Sequence, residues 1–305
     1  MQLDHLHKVG VILLNWNGKG LTIPCIKSLL TGSFKPDKIY VLDNASEDGS
    51  ADEIEQSFPR IEIIRSLKNL GFAAGNNVAA KKALEEEFDY IWILNNDTIV
   101  GENCLKILYQ TMESNTNIAA STGKILYDNP NNMIWYAGAS FNNWTFRSKH
   151  RGRLEIDTGQ YDTEADVPFI SGCSMFLRKE AWIEIGQFDE RFFAYSEDLD
   201  WCIRVRKKGL KLRYIPKAII YHKVSASFNK THPVKALGKS SLVMTRISQR
   251  NRLFIIKKHW SSIPQLIVAG SAEVIWVLCH VLGLLLLCRF TKLNSLWRGV
   301  VEGLS

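Results

Sequence analysis

Three short segments that carry carboxylates are the parts of this chain most suited to chemistry. The first, Asn95-Asn96-Asp97, directly follows the apolar run Ile91-Trp92-Ile93-Leu94. A short apolar run bounded by polar residues is typical of a strand buried on both faces of a parallel sheet. Ligands of open α/β sheets bind at the carboxyl ends of the strands, which places Asp97 to bind a metal ion or a phosphate-bearing substrate. The same residues would also suit an ordinary turn.

The second segment ends another predicted strand. Lys38-Ile39-Tyr40-Val41-Leu42 leads into Asp43, and the turn formers and N-cap residues that follow predict a helix reaching Phe58. A further strand pattern, Val9 to Leu14, runs into Asn15-Trp16-Asn17-Gly18. Two predicted strands therefore end in aspartate, and in a parallel sheet both would lie at one edge.

The third segment is Glu197-Asp198-Leu199-Asp200, which has three carboxylates in four residues at a predicted helix start. The helix dipole favours acidic residues there, and this alone would account for them. Alternatively, crowding and partial burial among aromatic residues raise the proton affinity of one carboxylate, so that it can act as a general base. The spacing leaves both interpretations open.

A histidine follows a later strand pattern. His222 ends the extended segment Ala218-Ile219-Ile220-Tyr221 and opens a polar, basic loop. A lone histidine is often an ordinary core or surface residue, but this position makes a metal or diphosphate role plausible.

Strand and helix patterns alternate from Val9 to Leu94 and predict the order β-α-β-α-β-α-β. This order is typical of a parallel, right-handed, doubly wound sheet flanked by helices. Gly71 and Gly75 precede a helix predicted over Val78 to Glu87, and they match neither a dinucleotide fingerprint nor a P-loop. A glycine-rich turn before a helix still offers backbone N–H groups to an anion.

Composition indicates a folded protein with an unevenly distributed charge. The net charge of its 305 residues is +7, yet residues 201–272 carry 16 Lys and Arg and no Asp or Glu. A basic stretch of this kind suits nucleic acid, a diphosphate or an anionic membrane surface. The six cysteines form no CxxC pair and are predicted to be reduced core thiols of a cytosolic protein. Met1 to Lys8 has no apolar run, so nothing there predicts secretion.

The C-terminal part is apolar over Ile263 to Cys288, with few polar interruptions. Within it, Val274 to Cys288 is apolar except for one histidine. This stretch is shorter than the roughly 20 residues that a membrane span requires. We predict apolar helices lying in or against the inner face of a membrane, with the basic run meeting lipid headgroups. A transmembrane helix, a dimerisation surface and an ordinary core helix are the alternatives.

Taken together, the motifs resemble those of the family 2 glycosyltransferases of the GT-A fold, within them the rhamnosyltransferase-like enzymes that build bacterial surface polysaccharides. The matching pieces occur in the family's order over residues 9–225 and are Asn15-Trp16-Asn17-Gly18, Asp43 to Ser50, Asn69 to Asn77, Asn95-Asn96-Asp97, Phe188-Asp189-Glu190, Glu197 to Asp200 and His222. The resemblance implies a Rossmann-like, mostly parallel sheet flanked by helices, followed here by the C-terminal apolar helices.

The resemblance also implies roles for individual residues. Asp43 would accept a hydrogen bond from the uracil or thymine base, and Asp97 with His222 would bind Mg²⁺ or Mn²⁺ at the diphosphate. Asp198, paired with Glu197 as the catalytic residues, would be the base of an inverting transfer. The implied nucleotide-sugar set comprises Asn15, Asn17, Asp43, Asn44, Gly71, Gly75, Asn76, Asn95, Asn96 and Asp97. The implied acceptor set comprises Gly172, Asp200 and Trp201.

One position departs from the family pattern. Asn95 stands where the family's DxD motif has its first aspartate. This substitution weakens metal coordination from that position. We expect Asp97 and His222, together with the diphosphate, to suffice for holding the metal ion.

The resulting expectation is a catalytic domain over 1–258, with a nucleotide-binding half (1–125) and an acceptor-binding half (126–258), followed by membrane-associated helices over 259–305. The expected partners are a dTDP- or UDP-linked sugar donor, with dTDP-rhamnose first, and a glycan or polyprenyl-diphosphate-linked acceptor. The expected location is peripheral, on the cytoplasmic face of the inner membrane. Homo-oligomerisation is compatible with the sequence, and no nucleic-acid motif is present.

Two other functions remain as alternatives. A metal-dependent nucleotidyltransferase would need a Gly-rich basic loop after the first strand, and Gly18-Lys19-Gly20 is too slight. A non-catalytic membrane-bound scaffold would be expected to have lost some of its carboxylates, yet Asp43, Asp97 and Asp198 are all present.

Overall fold

The structure is a computed structural model that describes residues 7–224 and 242–305, so Ser225 to Ser227 and part of the basic run lie outside the described residues. The described chain divides into two compact units. The first unit comprises residues 7–140, 149–190 and 197–224, and the second comprises 141–148, 191–196 and 242–305. The second compact unit also takes in residues 242–258. Compact units are not functional domains, so the functional boundary expected at residue 258 stays a prediction.

The first unit begins with four parallel strands and the helices between them. These elements are β1 (Val9–Asn15), α1 (Thr22–Thr31), β2 (Lys38–Asp43), α2 (Ser50–Ser57), β3 (Glu62–Arg65), α3 (Gly71–Glu85) and β4 (Tyr90–Asn95). The strands lie in the order β3-β2-β1-β4, with Asn15 opposite Asp43 and Leu14 opposite Asn95. This register brings the polar ends of β1, β2 and β4 to one edge of the sheet.

The sheet continues on the far side of β4. The remaining elements wholly in this unit are β5 (Thr98–Val100), α4 (Cys104–Ser114), β6 (Ile118–Tyr127), β7 (Ile134–Tyr136), β10 (Ala165–Asp166), β11 (Ser174–Arg178), α5 (Lys179–Ile185), α6 (Glu197–Lys207) and β12 (Lys211–His222), whereas β8 (Ala139–Asn142) and β9 (Arg147–His150) each lie partly in the second unit. The ten-stranded sheet follows the path β10-β12-β6-β11-β4-β1-β2-β3, with β5 on β12 and β7 on β6. Strand β11 runs antiparallel between β4 and β6, and β5 pairs antiparallel with β12.

The core of this unit lies along β4 and its neighbours. Trp92 and Phe176 are fully buried on β4 and β11, and their rings meet edge to face at 6.3 Å. The Trp92 indole N–H donates to Ser174 Oγ at 2.9 Å, so its one polar group is satisfied. Burying one large apolar side chain is worth about 1.5–3 kcal/mol. The continuous apolar run that predicted a doubly buried strand thus forms one, and the predicted mostly parallel α/β sheet is confirmed.

Two predicted elements differ in the structure. Helix α3 begins at Gly71, seven residues before the predicted start at Val78, so Gly75 and its neighbours lie inside the helix. The sequence pattern did not predict the first part of α3 because glycine and asparagine have low helix propensity. Packing against the sheet overrides that propensity. Strand β12 is one strand rather than two, with an irregular register between Ile215 and Ile219.

The second unit contains three helices among its described residues: α7 (Leu242–His259), α8 (Ile263–Leu286) and α9 (Phe290–Leu304). Helix α8 is long and apolar enough to cross a membrane by length and composition. Its apolar residues face outward, and Ile275 and Leu278 are each 62% exposed. Its only charged residue, Glu273, is buried and bonded to Arg147 and Arg252. The predicted C-terminal apolar helices are therefore present. In α8 the apolar side chains are exposed and the charged side chain is buried, which is the reverse of an ordinary surface helix.

Candidate active site

Asn15, the last residue of β1, organises the strand ends at the sheet edge. Its side-chain amide is fully buried and donates to Asp43 Oδ1 at 2.9 Å, Ser46 Oγ at 3.1 Å and Ser50 Oγ at 2.9 Å. Asp43 also accepts from the Ser46 backbone amide through its other oxygen at 3.2 Å. A carboxylate offers about four acceptor positions, so Asp43 keeps capacity for a further donor.

Asn15 Oδ1 faces a second polar cluster at the end of β4. It accepts from Thr22 Oγ1 at 2.7 Å, and Asn96 Nδ2 donates to the same Thr22 hydroxyl at 2.8 Å. A Cβ atom on Gly18 would lie 2.3–2.7 Å from atoms of these three side chains, so only glycine fits at that position. The predicted residues Asn15 and Asn96 therefore lie in one network, which Thr22 and Gly18 complete.

The turns after β1 and β2 are held by their asparagines. Asn17 has a left-handed backbone (φ 49°), and its side-chain oxygen accepts from the Glu47 amide at 2.9 Å. Asn44 is buried, accepts from the Leu70 amide at 2.7 Å and donates to the Gly71 carbonyl at 3.2 Å. Asn17 and Asn44 thus join loops at the sheet edge, and a role in binding the nucleotide stays a prediction.

Within α3, the predicted residues have structural contacts. A Cβ on Gly75 would lie 2.5 Å from Leu14 Cδ1, so glycine lets the helix approach β1 closely. Asn76 donates to the Phe72 carbonyl one turn earlier at 2.8 Å. The adjacent Asn77 is buried and exchanges hydrogen bonds with the Phe188 backbone at 2.9 and 3.0 Å. Nucleotide contacts of Gly75 and Asn76 remain predictions.

Asp97 and His222, which the family resemblance assigns to one metal site, lie side by side. Strand β5 pairs with the end of β12 so that Thr98 lies opposite His222, and His222 Nε2 is 3.0 Å from Asp97 Oδ1. Burial lowers the pKa of His222, but the nearby Cys173 side chain and the Asp97 carboxylate outweigh it and raise the pKa to about 10. The Asp97 carboxylate thus favours the protonated imidazole, which can donate to it through Nε2.

Asp198, in the first turn of α6, is held by backbone amides. The Gly172 amide donates to Asp198 Oδ2 at 2.8 Å, and the Leu199 amide donates to Oδ1 at 2.8 Å. Burial raises the pKa of Asp198 above its ordinary value, although these amides partly oppose the rise. Burial, followed by the Asp198 charge, raises the pKa of Glu197 well above its ordinary value. Among the described residues, the buried Glu197 Oε2 has no hydrogen-bond partner.

The turn before β11 joins the two groups of predicted functional residues. Next to Gly172, the Cys173 carbonyl accepts from the Asn95 amide at 2.9 Å. Burial raises the pKa of the Cys173 thiol, His222 lowers it, and the charges of Asp97 and Asp198 both raise it. The candidate metal ligands and the candidate base therefore surround one buried thiol.

Two predicted acceptor residues are buried behind this site. Asp200 is fully buried and pairs with Arg204 Nε at 2.9 Å. Trp201 is also fully buried, and its indole N–H donates to the Gly186 carbonyl at 3.0 Å. These contacts give both residues a packing role on α6, and their predicted contacts with an acceptor remain predictions. Gly172, the third member of that set, contacts Asp198 directly.

The donor atoms of Asp97 and His222 fit a divalent cation. Two ligands about 2.1 Å from one cation and at right angles are about 3.0 Å apart, which equals the Asp97–His222 separation. In the described part of the chain, no group of three or more His, Cys, Asp or Glu side chains is arranged to hold a metal ion. Oxygens of a bound diphosphate would have to complete the coordination.

A family model described as "Glycosyltransferase like family 2" matches residues 7–242, which include every predicted site residue. The chain belongs to glycosyltransferase family 2. The predicted enzyme class is thereby confirmed, and a family 2 glycosyltransferase moves a sugar from a nucleotide sugar. Membership also decides against the nucleotidyltransferase alternative.

Curated relatives of this glycosyltransferase include rhamnosyltransferases. It is 24% identical over 229 residues to the N-acetylglucosaminyl-diphospho-decaprenol L-rhamnosyltransferase of Mycobacterium tuberculosis, covering 66% of this chain and 72% of that protein. It is 26% identical over 189 residues to rhamnosyltransferase WbbL of Escherichia coli, covering 59% of this chain and 70% of that protein. These relatives confirm the predicted resemblance to rhamnosyltransferase-like enzymes.

Solved structures share the fold of this glycosyltransferase. GalNAc-T7 with UDP, GalNAc and Mn²⁺ aligns with a TM-score of 0.60 and 14% identity, over 85% of this chain and 53% of that chain. The mannosyltransferase PcManGT from Pyrobaculum calidifontis, in complex with GDP-Man and Mn²⁺, aligns with a TM-score of 0.58 and 13% identity, over 98% and 76%. The predicted GT-A fold is confirmed.

Several contributors to this glycosyltransferase site were not among the predicted site residues. Thr22, Cys173 and Asn77 are buried polar or thiol groups whose contacts span distant parts of the sequence. Gly18 and Asn77 stood inside the recognised motifs and could have been selected on that basis. Cys173 gave no signal, because its importance depends on β11 lying beside β4.

Proposed function

We propose that this glycosyltransferase is an inverting enzyme in which Asp198 is the catalytic base. We base this proposal on the hydrogen bond of 2.8 Å that the Gly172 amide donates to Asp198. The next residue of the same turn, Cys173, accepts from the Asn95 amide at the end of β4. A base must be ionised yet retain proton affinity, and burial raises the pKa of Asp198 while two amides stabilise its charged form.

In the proposed reaction, Asp198 accepts the proton of an acceptor hydroxyl as that oxygen attacks the anomeric carbon. The bond between this carbon and the diphosphate oxygen breaks, and the nucleoside diphosphate leaves with the electron pair. A single in-line displacement inverts the anomeric configuration. Burial and the neighbouring Asp198 charge raise the pKa of Glu197 well above its ordinary value, which favours its protonated form and disfavours Glu197 as the base.

Asp97 and His222 would hold the divalent cation, Mg²⁺ or Mn²⁺, with oxygens of the diphosphate. When bound, a cation neutralises negative charge that develops on the leaving diphosphate. Support comes from the fit of the Asp97–His222 separation and from the Mn²⁺ present in GalNAc-T7 and PcManGT. Asn95, at the end of β4, would contribute a neutral amide where a first carboxylate would add charge.

The proposed donor is a dTDP- or UDP-linked sugar, with dTDP-rhamnose first, and Asp43 would accept from the base. Support for rhamnose comes from the two rhamnosyltransferases among the relatives. The proposed acceptor is a hydroxyl of a glycan or of a glycan linked to a polyprenyl diphosphate. The decaprenyl diphosphate in the name of the mycobacterial relative supports the lipid-linked form.

We further propose that the protein lies peripherally on the cytoplasmic face of the inner membrane through its second unit. The outward face of α8 is apolar, and a large exposed apolar face indicates a lipid or protein interface. Arg147, Arg252 and Gln249 all bond Glu273 in the middle of α8. These contacts favour a helix that lies along its unit, with its apolar side in the lipid, over one that spans the bilayer alone.

A thermal-shift screen of sugar nucleotides with and without Mn²⁺, followed by transfer assays on the donors that bind, tests the proposed function. We expect a dTDP- or UDP-linked sugar to raise the melting temperature more with Mn²⁺ than without it, and to be transferred with inversion. Transfer with retained configuration would overturn the proposed mechanism, and binding of nucleoside triphosphates without sugar transfer would overturn the proposed activity.

A further inference from the structure

The segment before α6 has an unusual backbone. Phe193, Tyr195 and Ser196 have φ angles of 60°, 69° and 74°, in the left-handed region that non-glycine residues seldom occupy. Such a conformation persists only where surrounding contacts determine it, and it clusters at functional sites. Ser196 is followed directly by Glu197, the first residue of α6. The strained segment therefore sets where the helix bearing Asp198 begins.

Asn251, on α7, contacts this backbone through its side-chain amide. Its side chain is fully buried, and Nδ2 lies 2.9, 2.8 and 2.6 Å from the carbonyl oxygens of Phe192, Ala194 and Tyr195. A single amide group thus contacts three backbone carbonyls within residues 192–195. An aspartate could not replace it, because its ionised carboxylate has no hydrogen to donate.

Arg250 completes the arrangement. Its Nη2 donates to the Arg191 and Phe192 carbonyls at 2.9 Å each, and to Asn251 Oδ1 at 2.9 Å. Arg250 therefore holds the same segment directly and also fixes the orientation of the Asn251 amide, so that its nitrogen faces the carbonyls.

We propose that Asn251 and Arg250 are positioning residues for the transfer reaction, acting as a clamp on residues 191–196. The clamp holds three left-handed residues in one conformation directly before Glu197, where the helix bearing Asp198 begins. This inference rests on the proposed role of Asp198 as base.

Gln249 provides a matched control on the same helical turn. It is buried like Asn251 and also carries an amide, but its Nε2 donates to Glu273 of α8 at 3.1 Å rather than to residues 191–196. Replacing Gln249 disturbs the interior of the second unit to a comparable extent while leaving the clamp intact.

The test compares Asn251→Ala and Gln249→Ala in the full chain by hydrogen exchange and by steady-state kinetics. For Asn251→Ala we expect at least about tenfold faster amide exchange in peptides covering residues 191–199, kcat at least about tenfold lower, and an unchanged donor KM. For Gln249→Ala we expect wild-type exchange in these peptides and a wild-type kcat. Arg250→Ala, which removes fewer contacts, serves if Asn251→Ala does not fold, with the same changes in smaller measure.

Wild-type exchange in the Asn251→Ala peptides, or an equal loss of kcat in Gln249→Ala, would overturn the clamp. Faster exchange with unchanged kcat would overturn its positioning role. Amide exchange is measured without substrate. If the wild-type protein transfers no sugar, the proposed function is refuted, while the exchange rates of residues 191–199 in the two variants still test the clamp.

Discussion

The backbone amide of Gly172 lies 2.8 Å from Oδ2 of Asp198, and this hydrogen bond holds the candidate base against the turn that precedes β11. The next residue in that turn, Cys173, binds the Asn95 amide at the end of β4 through its carbonyl. Two consecutive residues thus connect the helix bearing the base to the strand that leads to Asp97. On the turn, both contacts are made by backbone groups, so the turn does not depend on its own side chains to hold Asp198 and Asn95.

The first prediction concerns the pH dependence of transfer. Because burial raises the pKa of Asp198, the acid limb of kcat should lie above the ordinary aspartate value of about 3.9. The rate should rise with pH as Asp198 loses its proton, and measurement of kcat from pH 4 to 8 at saturating donor and Mn²⁺ checks it. An acid limb at or below the ordinary value would contradict the assignment.

The second prediction concerns stability and Glu197. A carboxyl group whose pKa is raised in the folded state loses stability as pH rises from its unfolded value towards its folded value. Glu197→Gln removes this loss, so the variant should gain stability over wild type as pH rises from 4 to 8, reaching at least about 2 °C in Tm. Thermal melts at several pH values measure the difference, and a difference that does not vary with pH would refute the prediction.

The third prediction concerns the cation. Without a cation, burial opposes but Cys173 and Asp97 raise the pKa of His222 to about 10, so a metal ion must displace one proton at neutral pH. The Mn²⁺ affinity in the presence of UDP should therefore rise about tenfold per pH unit between pH 6 and 9. Electron paramagnetic resonance of free Mn²⁺ measures it.

The matched control for the cation is His222→Gln, which removes the proton that the metal displaces. This variant should bind Mn²⁺ more weakly and with little dependence on pH. Wild-type affinity and pH slope in His222→Gln would show that His222 is not a ligand, and full activity in excess chelator would remove the cation from the account altogether.

The fourth prediction concerns the membrane. Leu278 lies on the outward face of α8, and Leu278→Glu should weaken binding to vesicles of phosphatidylcholine and phosphatidylglycerol about tenfold or more, since it removes a buried apolar side chain from lipid. Ile183, on α5, has the same exposure of 62%, which makes Ile183→Glu a matched control. Co-sedimentation measures both, and equal binding by the two variants would refute the proposed lipid face.

The sequence predicted the sheet edge well because strand order is encoded locally. Asp43 and Asp97 each follow an apolar strand, and parallel strands bring their carboxyl ends to one edge. The proximity of His222 to Asp97 came from the family resemblance, and the pairing of β5 with β12 explains it.

Other contacts could not be predicted because they depend on packing between distant segments. The Gly172–Asp198 bond requires β11 to run antiparallel between β4 and β6, which no local pattern encodes. The early start of α3 at Gly71 depends on Gly75 packing against Leu14, an interaction that helix propensity does not include. Burial of Trp201 behind the site likewise follows from the packing of α6.

The most direct test of the account is to compare Asp198→Asn with Glu197→Gln. Both variants replace a carboxylate by an amide of the same shape on neighbouring residues, and donor binding is measured by calorimetry alongside kcat. We expect Asp198→Asn to lower kcat about 10²–10⁴-fold with little change in donor affinity, and Glu197→Gln to keep most of its activity. Near-normal turnover in Asp198→Asn, or a comparable loss in Glu197→Gln, would contradict the assignment of Asp198 as the base.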